Sequence, residues 1–403
     1  MMVKAMILRG QQALAAPHRL GFLAGGILLV LSFLWWGGHM LGRWQGIALP
    51  SAVVPMFLHG YSMTYSFFPL FMLGFIYTAG PRWLGVASPS LRCYAPIMLG
   101  YLLGGLLVLA SAVNTALLGL GIALQLLAWL AGLAVWIRAI LSSAVADQLH
   151  AKTIALAFSL GALGLLLALY WAMTGDVSAW FGAVQLGIWG LLLPVFLAVS
   201  HRMIPFFSAT ALPLYSPWRP NWWLYTLVGC SLLRIVMFGL DLNTLVVDAT
   251  MASILLYTTW RWRLIATFKV KLLAMLHAAF AWAGLAMLLS VISDVLQWRG
   301  HFGLGFAPLH ALTLGFFCCM LLAFVTRVTL GHSGRPLLAG GVAWTCYWLM
   351  QGVALARVLG EILPSMQAIL YAVAASMALL ALLSWSRVYL PMYWQARVDG
   401  GAG

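Results

Sequence analysis

The chain has 403 residues, of which 64% are apolar and only 7% carry a charge. Because soluble globular chains carry about 25% charged residues, this composition excludes a soluble enzyme, a nucleic-acid-binding domain and a disordered chain. The formal net charge of +14 would favour a nucleic-acid partner, but the charged residues lie in short segments between long apolar runs. In that position they indicate membrane orientation instead.

The apolar runs predict an all-α, polytopic membrane bundle, surrounded by lipid and forming one integral membrane domain over residues 1–403. Each run is long enough to cross ~30 Å of hydrocarbon at ~1.5 Å per residue. Glycine pairs such as Gly21–Gly25 and Gly100–Gly104 allow neighbouring helices to approach closely. In chain order we predict twelve spans, at residues 20–36, 55–79, 94–113, 117–138, 153–173, 179–200, 222–240, 243–260, 270–292, 306–329, 339–359 and 366–390.

Lysine and arginine are unevenly distributed between the two sides of the predicted bundle. Of the 21 such residues, 17 fall on the side of the N-terminus, and only Arg43, Arg234, Arg299 and Arg357 fall on the other side. Because cytoplasmic loops are enriched in positive charge, both termini are predicted to face the cytoplasm. We refer to the two sides as inner and outer, and we assign most of the acidic residues, including Asp248, to the outer side.

A coarse repeat accompanies the twelve spans. Spans 2, 6 and 10 each end close to an arginine and a proline, as Pro81-Arg82, Arg202 with Pro205, and Arg335-Pro336. These ends lie four helices apart, which favours an architecture of three four-helix units.

Histidines inside the spans are the first candidates for a functional site, because ionisable residues in the membrane are costly and rare. His59, His277 and His310 lie within spans, whereas no acidic residue lies near the middle of one. His59 and His310 each lie about four residues into an inward-running span, so both are predicted ~6 Å below the outer surface. Two imidazoles at matched depth can bind the iron of one b-type haem from opposite faces.

Other candidates surround this pair. Arg43, Arg234 and Arg357, on the outer side, could bind the haem propionates, or they could simply extend to the interface. His277 and His332 are weaker metal candidates, since His277 is predicted too deep to share the iron. His332 lies in a turn-rich polar stretch that could bind an anion or a partner. We expect the remaining histidines to be solvated, with His39 and His301 in outer loops, and His150, His201 and His332 at inner ends.

Several short stretches, in order along the chain, share the sequence of a known family. They are residues 74–79, 81–83, 202–207, 276–277, 281–282, 309–315, 326–327 and 330–336. Together they resemble the NnrS family, and residues 309–336 carry the most specific part of the resemblance. The resemblance implies a bacterial inner-membrane protein of twelve helices that binds haem, together with copper, and is linked to denitrification and nitric oxide tolerance.

One segment departs from the family pattern. The family usually has His-x-His-Glu at the start of span 2, whereas this chain reads His59-Gly60-Tyr61-Ser62. The first histidine carries over, but the second histidine and the glutamate do not. This departure makes copper a weaker expectation than haem.

A more distant resemblance concerns the catalytic subunits of haem–copper oxidases and nitric-oxide reductases. The segment from His59 is similar to their second helix and the segment from His310 to their tenth, where histidines ligate the low-spin haem. Span 7 has no histidine, and span 6 has none before His201. A complete binuclear centre of that superfamily is therefore not expected.

Three functions follow from these observations. The first is a haem b protein of nitric oxide metabolism that transfers electrons from a respiratory donor, binds nitric oxide, or reduces it as an oxidoreductase. The second is a multi-span transporter or channel, although a proton-coupled mechanism based on buried carboxylates is disfavoured. The third is an anchor or sensor subunit of a respiratory complex.

Overall fold

A computed structural model describes residues 10–401, which form helices and no strand. Eleven helices in this range are long and apolar enough to cross a membrane. Together with the 17-residue α8, they form the expected all-α polytopic bundle. In chain order the helices are α1 (Pro17–Trp44), α2 (Pro55–Leu84), α3 (Leu91–Ala110), α4 (Ala116–Leu141), α5 (Leu149–Thr174), α6 (Val177–Ala211), α7 (Asn221–Gly239), α8 (Leu245–Arg261), α9 (Lys271–Trp298), α10 (Ala307–His332), α11 (Gly341–Ile362) and α12 (Pro364–Trp394).

Helix ends follow local chemistry. Proline begins α1 and α2, where the missing N–H has no helical partner to lose. Asp176 caps α6 by accepting from the amide of Ser178 at 2.8 Å. The predicted end of span 6 at residue 200 was wrong, because α6 continues to Ala211. Polar His201 and Arg202 end the apolar run there without ending the helix.

Three helices form the centre of the bundle, namely α2, α6 and α10. In each, 78% of the most apolar window is buried, compared with 39% in α4 and 28% in α7. Each also contains a π-helical segment, at Ser62–Ser66, Leu186–Leu192 and Ala311–Cys318 respectively. The central helices are thus four apart along the chain and share the same irregularity, which agrees with three four-helix units.

Glycines allow close helix contacts, as their spacing suggested. A Cβ at Gly21 would lie 2.7 Å from the backbone of Gly74 on α2, and one at Gly104 would lie 2.7 Å from the carbonyl oxygen of Gly121 on α4. Such contacts exist only because both helices lack a side chain there. These glycines therefore set the α1–α2 and α3–α4 distances.

Gly104→Ala is expected to destabilise the protein by about 1–3 kcal/mol, because the added methyl group meets backbone atoms that cannot move aside cheaply. Gly119→Ala on α4 provides the matched control, since no atom lies within 4 Å of its Cβ position and alanine favours a helix. The measurement is the unfolding midpoint in detergent. Equal midpoints for the two variants would contradict the close-approach interpretation.

Two histidines predicted to be solvated are in fact buried. His150 Nε2 lies 2.9 Å from His201 Nδ1, and the imidazole of His201 stacks on Trp223 with ring centroids 5.0 Å apart. The expectation failed because α6 continues past His201, so that neighbouring helices cover both rings. By contrast, His301 is exposed as expected.

Two further histidine predictions need correction. His39 lies within α1, not in an outer loop, and its ring contacts Trp35 at a centroid distance of 4.7 Å. His332 is only partly exposed, with its ring 4.2 Å from that of His18. In both cases the helix is longer than the apolar run that predicted it.

Candidate functional site

Both histidines of the predicted haem site lie within three residues of the start of a π-helical segment. On α2, His59 lies three residues before the π segment begins at Ser62. On α10, His310 directly precedes the π segment that begins at Ala311. Because π segments insert an extra residue into the turn and occur frequently at functional sites, the two central helices share an unusual geometry at these positions.

The hydrogen bonds of His310 fix the role of each ring nitrogen. Nδ1 lies 3.0 Å from the carbonyl oxygen of Phe306, and Nε2 lies 2.9 Å from Nη2 of Arg357. A guanidinium can only donate, so Nε2 accepts and Nδ1 carries the proton that it donates to Phe306. Metal-ligating histidines commonly have this arrangement, in which a carbonyl holds one nitrogen and the other presents a lone pair.

His59 lies on α2 and packs against α1. Its imidazole stacks on Trp36 of α1, with centroids 3.9 Å apart and planes inclined by 13°. Its Nδ1 is buried and has no hydrogen-bond partner among the described residues. Since a buried polar atom without a partner is costly, this nitrogen is consistent with a site completed by another group.

Arg357 connects the histidine pair to an outer group of polar residues. Its guanidinium lies over the ring of Tyr371 at 3.5 Å, and its Nη2 lies 3.6 Å from Glu361. Glu361 in turn accepts hydrogen bonds from the Tyr371 hydroxyl and from the amide of Phe306. Arg43 is exposed. Tyr371 and Glu361 therefore hold Arg357 beside His310.

Arg234 has a different environment. It forms an ion pair with Asp248, which is fully buried on α8, and it lies over the ring of Trp189 at 4.2 Å. Asp248 also accepts hydrogen bonds from Thr244 at 3.1 Å and from Ser290 at 2.7 Å. Arg234 therefore has a carboxylate partner within the protein.

The two weaker metal candidates lie elsewhere. Nε2 of His277 is 2.9 Å from the hydroxyl of Ser208 on α6, and His332 packs against His18 at the inner end. Within residues 10–401, no group of three or more histidine, cysteine, aspartate or glutamate side chains is arranged to hold a metal ion. The structure thus places Arg357 beside His310 and Trp36 against His59, whereas His277 and His332 have other partners.

A small apolar cavity of about 10 Å³ lies deeper in the bundle than the histidine pair. Its walls come from α1, α2, α10, α11 and α12, the helices that also carry Trp36, His59, His310, Arg357 and Tyr371. Phe33, Phe71 and Trp385 are among the residues that line it. An arginine beside His310 and apolar side chains on the inner side are the types of group that haem propionates and a haem ring would contact.

Sequence reasoning missed three neighbours of the pair, namely Trp36, Glu361 and Tyr371. The i,i+4 spacing of Arg357 and Glu361 could have indicated their ion pair. Nothing in the sequence indicated the stacking of Trp36 on His59 or the position of Tyr371, because both contacts join different helices.

No curated protein matches the chain. A family model described as NnrS protein matches residues 12–397, nearly the whole length.

Proposed function

Because the chain belongs to the NnrS family, we propose that this nitric oxide-related, multi-span membrane protein binds haem b between His59 and His310. The observation that carries the proposal is the hydrogen bonding of His310, whose Nε2 lone pair faces Arg357 while Nδ1 donates to Phe306. We place the protein in the bacterial inner membrane, in a role linked to denitrification. Copper remains a weaker proposal that rests on the family resemblance alone.

Each residue would have a distinct task. His59 and His310 would each hold the haem iron through a ring nitrogen, and Trp36 would hold the plane of the His59 ring. When His310 Nε2 is no longer an acceptor, the N–H of Arg357 becomes available for a carboxylate, so Arg357 would bind a propionate. Glu361 and Tyr371 would keep Arg357 in place.

When bound, haem supplies a one-electron iron centre that can also take a gas as a ligand. Two strong axial histidines favour electron transfer, whereas a weakly held histidine would let nitric oxide replace it. His59 is the better candidate to be replaced by nitric oxide, because its Nδ1 has no hydrogen-bond partner among the described residues. The same haem site would serve electron transfer, nitric oxide binding and nitric oxide reduction. Electron transfer and nitric oxide reduction would also require an electron donor.

The direct test is a reduced-minus-oxidised absorption spectrum of the purified protein, together with quantification of iron and haem. We expect the spectrum of a six-coordinate, low-spin b-type haem. Protein that is folded and monodisperse but takes up no haem, even when haem is supplied during expression, would overturn the proposal.

Arg357→Gln is expected to lower the affinity for haem by about tenfold or more, because a charge-assisted hydrogen bond of about 1.5–3 kcal/mol is lost. Exposed Arg43 serves as the comparison, and Arg43→Gln should have a smaller effect. Haem titration of the apoprotein gives both affinities. Equal losses in the two variants would argue against a special role for Arg357.

A further inference from the structure

The centre of the bundle contains a second and larger cavity, which we call the central cavity. It holds about 60 Å³ of space and is lined mainly by the three central helices α2, α6 and α10. Of its fourteen lining residues, thirteen are apolar, and Ser200 carries the only side-chain hydroxyl among them. Phe71, Met72, Val195, Phe196 and Met320 are among them.

The central cavity lies deep in the membrane. It begins at Phe68, nine residues after His59 on α2, and at Met320, ten residues after His310 on α10. At ~1.5 Å per residue this is roughly 14 Å below the histidine pair. Since the pair is predicted ~6 Å below the outer surface of a ~30 Å layer, the cavity begins about 20 Å below that surface, in the inner half of the bilayer.

An aromatic cluster separates the cavity from the histidine pair. Phe68, Phe196 and Phe317 come one from each central helix, and their ring centroids are 4.9–6.3 Å apart. Phe68 and Phe196 also line the cavity. The part of the cavity wall nearest the histidine pair therefore consists of aromatic rings that can change rotamer, and not of backbone.

The chemistry of the lining restricts what the cavity can hold. Protein interiors are normally close-packed, so a void of this size at the centre of a bundle is unusual. A buried water needs two to four polar partners, whereas an apolar cavity stays dry and binds molecules such as xenon. One serine hydroxyl cannot satisfy several waters, and no charged side chain lines the space. The occupant must be small, uncharged and apolar.

We propose that the central cavity is a binding site for small apolar gas molecules. Diatomic gases are small, uncharged and apolar, as the lining requires. They can reach the cavity from the surrounding hydrocarbon without crossing water. The identity of the physiological gas as nitric oxide rests on the proposed function. In that case the cavity, which lies between helices that include those of the histidine pair, holds nitric oxide. The aromatic cluster then lies between the gas and the histidine pair.

The first test uses xenon and does not depend on haem. Crystals of the full-length protein under xenon pressure should show a xenon peak in the central cavity. Val195→Phe should lose this peak because the added ring fills the cavity, whereas Val388→Phe, at an exposed position on α12, should keep it. Met72→Trp fills the cavity from α2 and serves if Val195→Phe does not fold.

Each outcome decides the proposal. A wild-type cavity that contains ordered water or an acyl chain, or that takes no xenon, overturns it. A xenon peak that persists in both filled variants also overturns it, because the site would then lie elsewhere.

The second test addresses nitric oxide and does depend on haem. After flash photolysis of the nitrosyl haem, filling the cavity should change the fraction of nitric oxide that rebinds before it escapes by at least about twofold, with Val388→Phe unchanged. Equal fractions in all variants would overturn the link to nitric oxide. If xenon binds but the protein holds no haem, the gas site is supported. The proposed function and the assignment to nitric oxide are then contradicted.

Discussion

His310→Ala and His59→Ala are each expected to lower haem affinity by more than about 100-fold. Removing an iron ligand should reduce affinity more than removing a residue that only orients a ligand, which typically costs about 10–100-fold. The effect should be larger for His310, whose ring is held by Phe306 and Arg357. His310→Ala also leaves Arg357 without its acceptor on α10. The measurement is haem content per protein after purification, with folding checked by the elution volume in detergent.

Two further histidines provide matched controls. His277→Ala removes a buried histidine that hydrogen-bonds Ser208, so it should lower stability but leave haem content unchanged. His301→Ala removes an exposed one and should change neither. If His59→Ala and His310→Ala retain full haem, or if His277→Ala loses it, the ligand assignment is wrong.

Asp248→Ala is expected to destabilise the protein by about 3–5 kcal/mol, because it leaves the largely buried guanidinium of Arg234 without its counter-charge. Thr244 and Ser290 would lose their acceptor at the same time. The free energy of unfolding can be measured by denaturant titration in detergent. A loss below about 1 kcal/mol, the range of exposed pairs, would show that Arg234 reaches water in the variant.

The double variant Arg234→Leu with Asp248→Leu separates charge from packing. Replacing both partners of a buried ion pair with apolar residues is often neutral or stabilising. We therefore expect the double variant to be more stable than Asp248→Ala. Haem content should be unaffected in both, because no hydrogen bond or ion pair joins Arg234 to His59 or His310 among the described residues.

The positions of the helices were largely predictable from the sequence. An apolar run must be about 20 residues long to cross the hydrocarbon, and this physical limit located eleven helices in residues 10–401, with the 17-residue α8 just below it. It also predicts His59 and His310 at similar depth, because depth along a helix follows residue count. The ends were less certain, as α6 shows, since a helix continues into the interface after the apolar run stops.

The sequence by itself therefore determined the fold class and the approximate positions of the helices, which follow from composition and counting along the chain. The equal depth of the histidine pair stays a prediction. Only the tertiary structure decided that Arg357 contacts His310, that Arg234 pairs with Asp248, and that His150 pairs with His201. These contacts join different helices, so they depend on how each helix is rotated and tilted against its neighbours. The π segments in α2, α6 and α10 shift that rotation by an extra residue, and no periodicity in the apolar runs indicated where the shift occurs.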